Sequence, residues 1–296
     1  MSDLAVITPT FRGDAEIFGD LHRSVLRYTP ESTVHHVVVA PRDRRLFARY
    51  AGPRCRLWTT SELLPARYLH TRLGRLETFV NLRRPWPPVR GWISQQAIKI
   101  AMTARLDAPV ALLADSDVVL VRPVGAERFV KEGGVILYRD SNGVTADMDR
   151  HVLWHRVSRA VLGLPKAPQP PLPDYVSPFS VWDPAVIRAM RSRIAEVAGR
   201  DWLDVFCGQL HISEFILYGV FADSRLPGAP PAPPPADTTI CHNYWDRTPL
   251  SRAGALAFAD QLKPEAVAMM ISAKSGTPGS VRRMAIDRCA EIADAG

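Results

Sequence analysis

The sequence predicts an α/β protein with a mainly parallel sheet flanked by helices. Three observations lead there. Residues 4–59 alternate β-branched apolar runs with segments of helical period. A later run, Leu112 to Val121, reads as a buried strand yet carries Asp115 and Asp117 one residue apart. The proline-rich segments 164–173 and 226–235 read as loops, and neither separates compositionally distinct halves.

Leu4 to Thr10 is a first strand running into the loop Phe11-Arg12-Gly13-Asp14, followed by a helix through Leu21 and Val25 that stops before Pro30. Val34 to Ala40 is a second strand closed by Pro41. A helix around Arg44 to Tyr50 and a short strand, Cys55 to Thr59, complete a β-α-β-α-β opening. Such an opening places a ligand at the carboxyl ends of the strands. Residues 60–90 are less regular, and Pro85-Trp86-Pro87-Pro88 reads as a loop. Gly91 to about Leu106 is a helix, the acidic strand follows, and Gly134 to Tyr138 is another strand. From Leu250 the chain is mainly helical, with a break at Ser275 to Gly279. The organisation expected is one domain over 1–249, with 250–296 as a helical extension of it.

The chain has 296 residues, enough for a substantial core, with 47% hydrophobic and 23% charged residues. No apolar run approaches the ~20 residues that span a bilayer. Met1-Ser2-Asp3-Leu4 enters a strand with no basic leader region, so a cytoplasmic location is expected. The net charge of +7 is spread as scattered arginine, which argues against nucleic acid and for attraction of an anionic small substrate or membrane surface. Cys55, Cys207, Cys241 and Cys289 lie too far apart for zinc-ribbon or redox pairs and read as reduced, packed thiols. Nothing in the sequence specifies an oligomeric state.

A core has no use for two unpaired carboxylates, and a divalent cation at a strand end is the simplest way to neutralise Asp115 and Asp117. Spacing alone proves little, because Asp147-Met148-Asp149 repeats the pattern in a polar stretch that reads as a loop or helix start. Only the first pair is flanked by strand-like hydrophobics. In a doubly wound sheet, such a pair suits a nucleotide diphosphate bridged by Mg²⁺ or Mn²⁺.

With Thr8-Pro9-Thr10, Gly91-Trp92-Ile93-Ser94-Gln95-Gln96-Ala97-Ile98-Lys99, Ala114-Asp115-Ser116-Asp117 and Ser213-Glu214-Phe215-Ile216-Leu217-Tyr218-Gly219, the chain resembles GT-A nucleotide-sugar glycosyltransferases. More narrowly, it is similar to the bacterial DUF6492 type. The resemblance covers roughly residues 4–247. It implies a GT-A, Rossmann-like fold and a metal-dependent transferase. The sugar would pass from a nucleotide-diphosphate donor to a hydroxyl or amine of a small-molecule or glycan acceptor. It further implies that Asp117 coordinates the metal and that Asp115 contacts metal or ribose with a catalytic part. Its third metal ligand would be a C-terminal histidine, for which His242 is the candidate.

Thr8, Thr10 and Asp14 would lie near base and ribose, with Ser116 also on the donor side. Gln95, Gln96 and Lys99 share about one helical turn before the acidic strand, where a lysine could oppose a phosphate and the amides could read sugar hydroxyls. Ser213 is a plausible helix N-cap, placing Glu214 in a first turn; its functional reading is an acceptor-side carboxylate acting as base. Ser180 and Trp182 would shape a sugar pocket. His151 and His155 share a helix face but lack the glutamate and third ligand of a zinc site. Two other readings stand beside transfer: a haloacid-dehalogenase-like phosphohydrolase, whose D-x-D normally opens the fold, and a nucleotide-sugar-binding protein without turnover.

Overall fold

The computed structural model describes residues 3–73, 76–224, 226 and 230–295. In chain order, β1 (Leu4–Pro9), β2 (Val34–Val39) and β3 (Cys55–Thr59) alternate with α1 (Ala15–Tyr28) and α2 (Arg44–Phe47). After α3 (Thr60–Leu63) come β4 (Tyr68–Leu73), β5 (Leu76–Asn81) and β6 (Arg84–Val89). Next are α4 (Gly91–Thr103), β7 (Val110–Ala114) and β8 (Val118–Leu120). The central sheet runs Phe179–Trp182, β7, β1, β2, β3, with every pairing parallel except that of Phe179–Trp182 with β7. This is the α/β class and mainly parallel sheet that the sequence predicts.

Both faces of the sheet are covered, as parallel strands require. Leu4 and Val6 of β1, with Val37, Leu112 and Ala114, pack on Phe18, Leu21 and Val25 of α1. The alternate residues Ala5 and Ile7, with Leu113, face Ile93, Ala97 and Ile100 of α4. That second layer also holds α5 (Asp149–Val161), α6 (Pro184–Ala198), α7 (Trp202–Cys207) and α8 (Glu214–Asp223). Ser213 caps α8 by accepting from the Ile216 N–H, as its sequence suggests. On α8, Gly219 is required by space: a Cβ there would sit 2.2 Å from the Tyr175 ring.

Four stretches differ from the sequence reading. The run Leu112 to Val121 is not one strand: β7 ends at Ala114 and β8 begins at Val118, with Asp115 to Asp117 between them. Residues 60–90 hold an antiparallel ribbon, β4-β5-β6, and Pro85 to Pro88 lie within its outer strand rather than in a loop. An edge strand tolerates proline because its outward N–H groups pair with nothing. Gly134 to Tyr138 splits into two-residue strands at Gly134–Val135 and Leu137–Tyr138. The C-terminal part contains α9 (Arg252–Ala259) and α10 (Gly279–Ala295), and it also adds a strand, Ala268–Ile271. That strand pairs antiparallel with β8 and parallel with Cys241–Tyr244. Four apolar residues are too few for their periodicity to separate strand from helix. Part of the proline-rich segment 226–235 lies outside the described residues.

Trp182 is a core residue, not a wall of a sugar pocket. It is buried, stacked on Tyr218 at 5.1 Å between ring centroids and edge-on to Phe215 at 5.7 Å. Trp182→Ala should therefore lower unfolding free energy by about 3–5 kcal/mol in denaturant titration; a loss below about 1 kcal/mol would remove the ring from the core.

Candidate functional site

Asp115-Ser116-Asp117 forms the turn that leaves β7 at its carboxyl end. The Val118 N–H closes it on the Asp115 carbonyl at 3.0 Å, and the Asp115 N–H donates to the Pro178 carbonyl at 3.2 Å. Beside it runs the loop after β1. Ser116 donates its hydroxyl to Thr10 Oγ1 at 2.9 Å, and the Thr10 N–H is held by the Val38 carbonyl. Asp14, at the start of α1, makes no side-chain cap. Its carboxyl instead lies close enough to the turn to feel both aspartates. The sheet thus brings Thr10, Asp14, Asp115, Ser116 and Asp117 together from two crossovers.

The local charge is unbalanced. Burial, and then the Asp117 carboxylate, raise the Asp14 pKa to about 6. Burial, and then Asp115, push Asp117 up from the usual carboxylate range. Two groups from the C-terminal part partly offset this. The Ala273 N–H donates to Asp117 Oδ2 at 2.8 Å, and buried Arg282 of α10 donates to the Asp117 carbonyl and to the Ile271 carbonyl. Sequence reasoning missed both. The Ser275 to Gly279 break was their one visible signal, since it turns the chain into α10 beside the acidic turn.

Behind the turn, Lys99 of α4 sits between two carboxylates, 2.8 Å from Asp115 Oδ1 and 3.2 Å from Glu214 Oε1. Its Nζ also lies 4.8 Å from the Phe215 ring centroid. Burial alone would lower the Lys99 pKa, but Asp115 and Glu214 outweigh it and raise it above the ordinary lysine value. Glu214 is shifted upward by burial, against the pull of Lys99. Only 3% exposed, Glu214 does not face solvent on an acceptor side. Its backbone N–H donates to Gln96 Oε1 at 2.9 Å, while the buried Gln96 Nε2 has no partner. Lys99 and Gln96, three residues apart on α4, therefore meet the start of α8; Gln95 is exposed and does not join them.

Other expected residues fall elsewhere. Thr8 is fully buried and bonded to His35 Nε2 at 2.9 Å, so it belongs to the sheet interior rather than to a donor pocket. Ser180 is buried and donates to the Ser177 carbonyl, beside a small cleft formed with Tyr138, Thr238 and Ile240. His242 stacks on Phe258 at 4.1 Å, with Nε2 2.7 Å from the Phe258 carbonyl. One ring nitrogen is thereby committed, and the structure does not bring His242 to the acidic turn. His155 is likewise bonded through Nε2 to the Pro173 carbonyl. The four cysteines are free thiols, as expected.

Among the described residues, no three His, Cys, Asp or Glu side chains are placed to hold one metal ion. The turn nonetheless fits a hard cation of the magnesium type, which takes one or two carboxylates and completes its shell with waters and substrate phosphates. The upward-shifted Asp14 and Asp117 are the charge such a cation would relieve. A histidine-completed site does not fit this arrangement.

Removing Lys99 leaves Glu214 buried and unpaired, so Lys99→Met should cost about 3–5 kcal/mol, and Lys99→Met with Glu214→Leu should recover much of it. Equal losses in the two proteins would dissolve the ion pair's structural role. Asp14 is ionised at a cost in the folded state, because its pKa rises from 3.8 to about 6. That penalty is absent below pH 3.8 and fully present above about 6. Asp14→Asn should then stabilise by roughly 1–3 kcal/mol at pH 8, fading as pH falls toward 4 in a series of melts without divalent cations.

Several solved structures align over most of this chain at low identity. Mouse xyloside xylosyltransferase 1 in its apo form is 12% identical, with a TM-score of 0.47, covering 93% of this chain and 100% of its own. An active-site mutant of LgtC is 13% identical, with a TM-score of 0.47, covering 95% of this chain and 93% of that one. The apo bifunctional glycosyltransferase WbbM is 11% identical, with a TM-score of 0.46, covering 91% of this chain and 45% of that one. No curated protein matches. A sequence profile described as a family of unknown function, DUF6492, matches residues 5–260. The match spans most of the sequence and includes the acidic turn, Lys99 and Glu214, and the chain belongs to the DUF6492 family.

Proposed function

We propose that this protein transfers a sugar from a nucleotide-diphosphate sugar to a hydroxyl or amine acceptor, with Mg²⁺ or Mn²⁺ at the acidic turn. The observation that carries this reading is the turn itself. Asp115 and Asp117 sit at the carboxyl end of β7, beside the loop after β1, with more negative charge than Lys99 and Arg282 balance. That is where an α/β sheet binds nucleotides, and a diphosphate arrives with a cation that suits carboxylate oxygens.

Asp117 would hold the metal, with its free oxygen set by the Ala273 N–H on the other. Asp115 would be a second ligand or a ribose contact, its Oδ1 already fixed by Lys99. When bound, the cation would offset charge growing on the departing diphosphate. Thr10 and Ser116, tied hydroxyl to hydroxyl, would line the nucleotide side with Asp14. Glu214 acts here as a positioning residue that holds Lys99, and through it Asp115. This role differs from that of an acceptor-side base, the function its sequence position suggests.

Nucleoside diphosphates and their sugars, screened by thermal melting with and without Mn²⁺, test the proposal. A ligand at 100 times its Kd should stabilise by about 2.7 kcal/mol, only with the cation, and Asp117→Ala should abolish the shift. No response to any donor, or a response indifferent to Asp117→Ala, would sink it. Glu214→Gln should weaken cation-dependent donor binding together with turnover. Turnover lost at unchanged donor affinity would instead make Glu214 a group acting on the acceptor.

A further inference from the structure

The ribbon β4-β5-β6 is left unexplained by the acidic turn. Its segment, residues 67–90, carries Arg67, Arg72, Arg75, Arg83, Arg84 and Arg90 against the single acidic residue Glu77. Much of the protein's net charge of +7 is thus concentrated in one segment. Its inner side is anchored: the Tyr68 hydroxyl, Asn81 Nδ2 and Arg67 Nε converge on Asp204 Oδ1 of α7 at 2.7, 2.9 and 3.1 Å. Phe79 is buried and packs edge-on to His70 at 5.2 Å.

The outer side is apolar and open. Leu69 stands opposite Val80 across the β4–β5 pair, and the Leu82 N–H continues that pairing onto the Arg67 carbonyl. Leu69 is 49% exposed, Leu82 59% and Trp86, on the edge strand, 76%. On the anchored side, Arg84 stands opposite Asn81 and lines with Arg90 the cleft toward α7; both are exposed and form no ion pair among the described residues, while Arg83 at the hairpin turn reaches Asp204 at 3.7 Å. The ribbon ends at Arg90, the N-cap of α4. Because α4 leads into β7 as the crossover of a parallel sheet, its N-terminus lies at the same end of the sheet as the acidic turn.

We propose that this ribbon docks the protein on an anionic lipid surface, with Leu69, Leu82 and Trp86 entering the headgroup boundary and Arg83 and Arg84 at the hairpin meeting lipid phosphates. Trp and Leu beside Arg is the composition of an interfacial element, and each cation near an anionic leaflet adds to its hold. Charge complementarity selects that occupant. A nucleic acid would use the arginines, but Leu69 and Leu82 offer nothing to a phosphate backbone. The docking does not depend on the transfer reading, yet it would place the acidic turn near the membrane face.

Co-sedimentation of the full chain tests this with phosphatidylcholine vesicles, the same vesicles containing phosphatidylglycerol, and single-stranded RNA as a competitor. The protein should pellet with the anionic vesicles, weakly with neutral ones, and be released by high salt. Arg83→Glu with Arg84→Glu should reduce partitioning by at least about fivefold per site, the change expected for an arginine near an anionic surface. Trp86→Ala should reduce it too, and should remove a vesicle-induced blue shift of the tryptophan emission. Thermal melts confirm that the variants fold. Protein left in the supernatant, equal pelleting with both vesicles, wild-type behaviour of either variant, or displacement by RNA at lower concentration than lipid would each overturn the proposal.

Discussion

The buried ammonium of Lys99 is the contact on which the rest of the site depends. It joins the helix before β7, the turn after β7 and the start of α8. A lone charge in that position would be several kcal/mol unfavourable, and two carboxylates at hydrogen-bond distance are what permit it. The same contact leaves the neighbourhood negative, because one ammonium faces Asp115 and Glu214 while Asp14 and Asp117 stand nearby with raised pKa values. A cation drawn from solution would complete that balance, as proposed above.

The acidic turn is held from both ends of the chain. Thr10 grips Ser116 from the first crossover. Ala273 and Arg282 reach Asp117 from the last elements, the latter across 165 residues of sequence. Strand Ala268–Ile271 makes this reach possible by pairing with β8 directly behind the turn. The C-terminal part is therefore integral to the site's geometry, since it fixes which Asp117 oxygen remains free.

Legibility in the sequence followed the range of the interactions. Period-2 and period-3.6 patterns located β1, β2, β7, α1 and α4, and a local cap located α8, because each is decided by neighbours in sequence. Asp115 and Asp117 were legible because carboxylates set between two apolar runs, here β7 and β8, are anomalous wherever those strands pack. Thr8 and Trp182 were misplaced for the opposite reason. A strand-end threonine and a lone tryptophan carry no sign of which face they occupy, and here His35 and Tyr218 claimed them. His242 satisfied a pattern of residue type, but its Nε2 is used by a backbone carbonyl that no pattern reveals. The pairing of Lys99 with Glu214 joins residues far apart in sequence and becomes visible only once α4 and α8 pack. Pro85 to Pro88 misled because proline excludes interior strands but not an edge.

As proposed, the acidic turn clamps a divalent cation together with a nucleoside diphosphate. Mn²⁺ binding followed by electron paramagnetic resonance, with and without nucleoside diphosphates, tests it most directly. Mn²⁺ should bind weakly to the protein alone, at least tenfold more tightly with one of the diphosphates, and not to Asp117→Asn. Each tenfold corresponds to about 1.4 kcal/mol of coupling. Mn²⁺ that binds no tighter with any diphosphate, or equally well to Asp117→Asn, would contradict it.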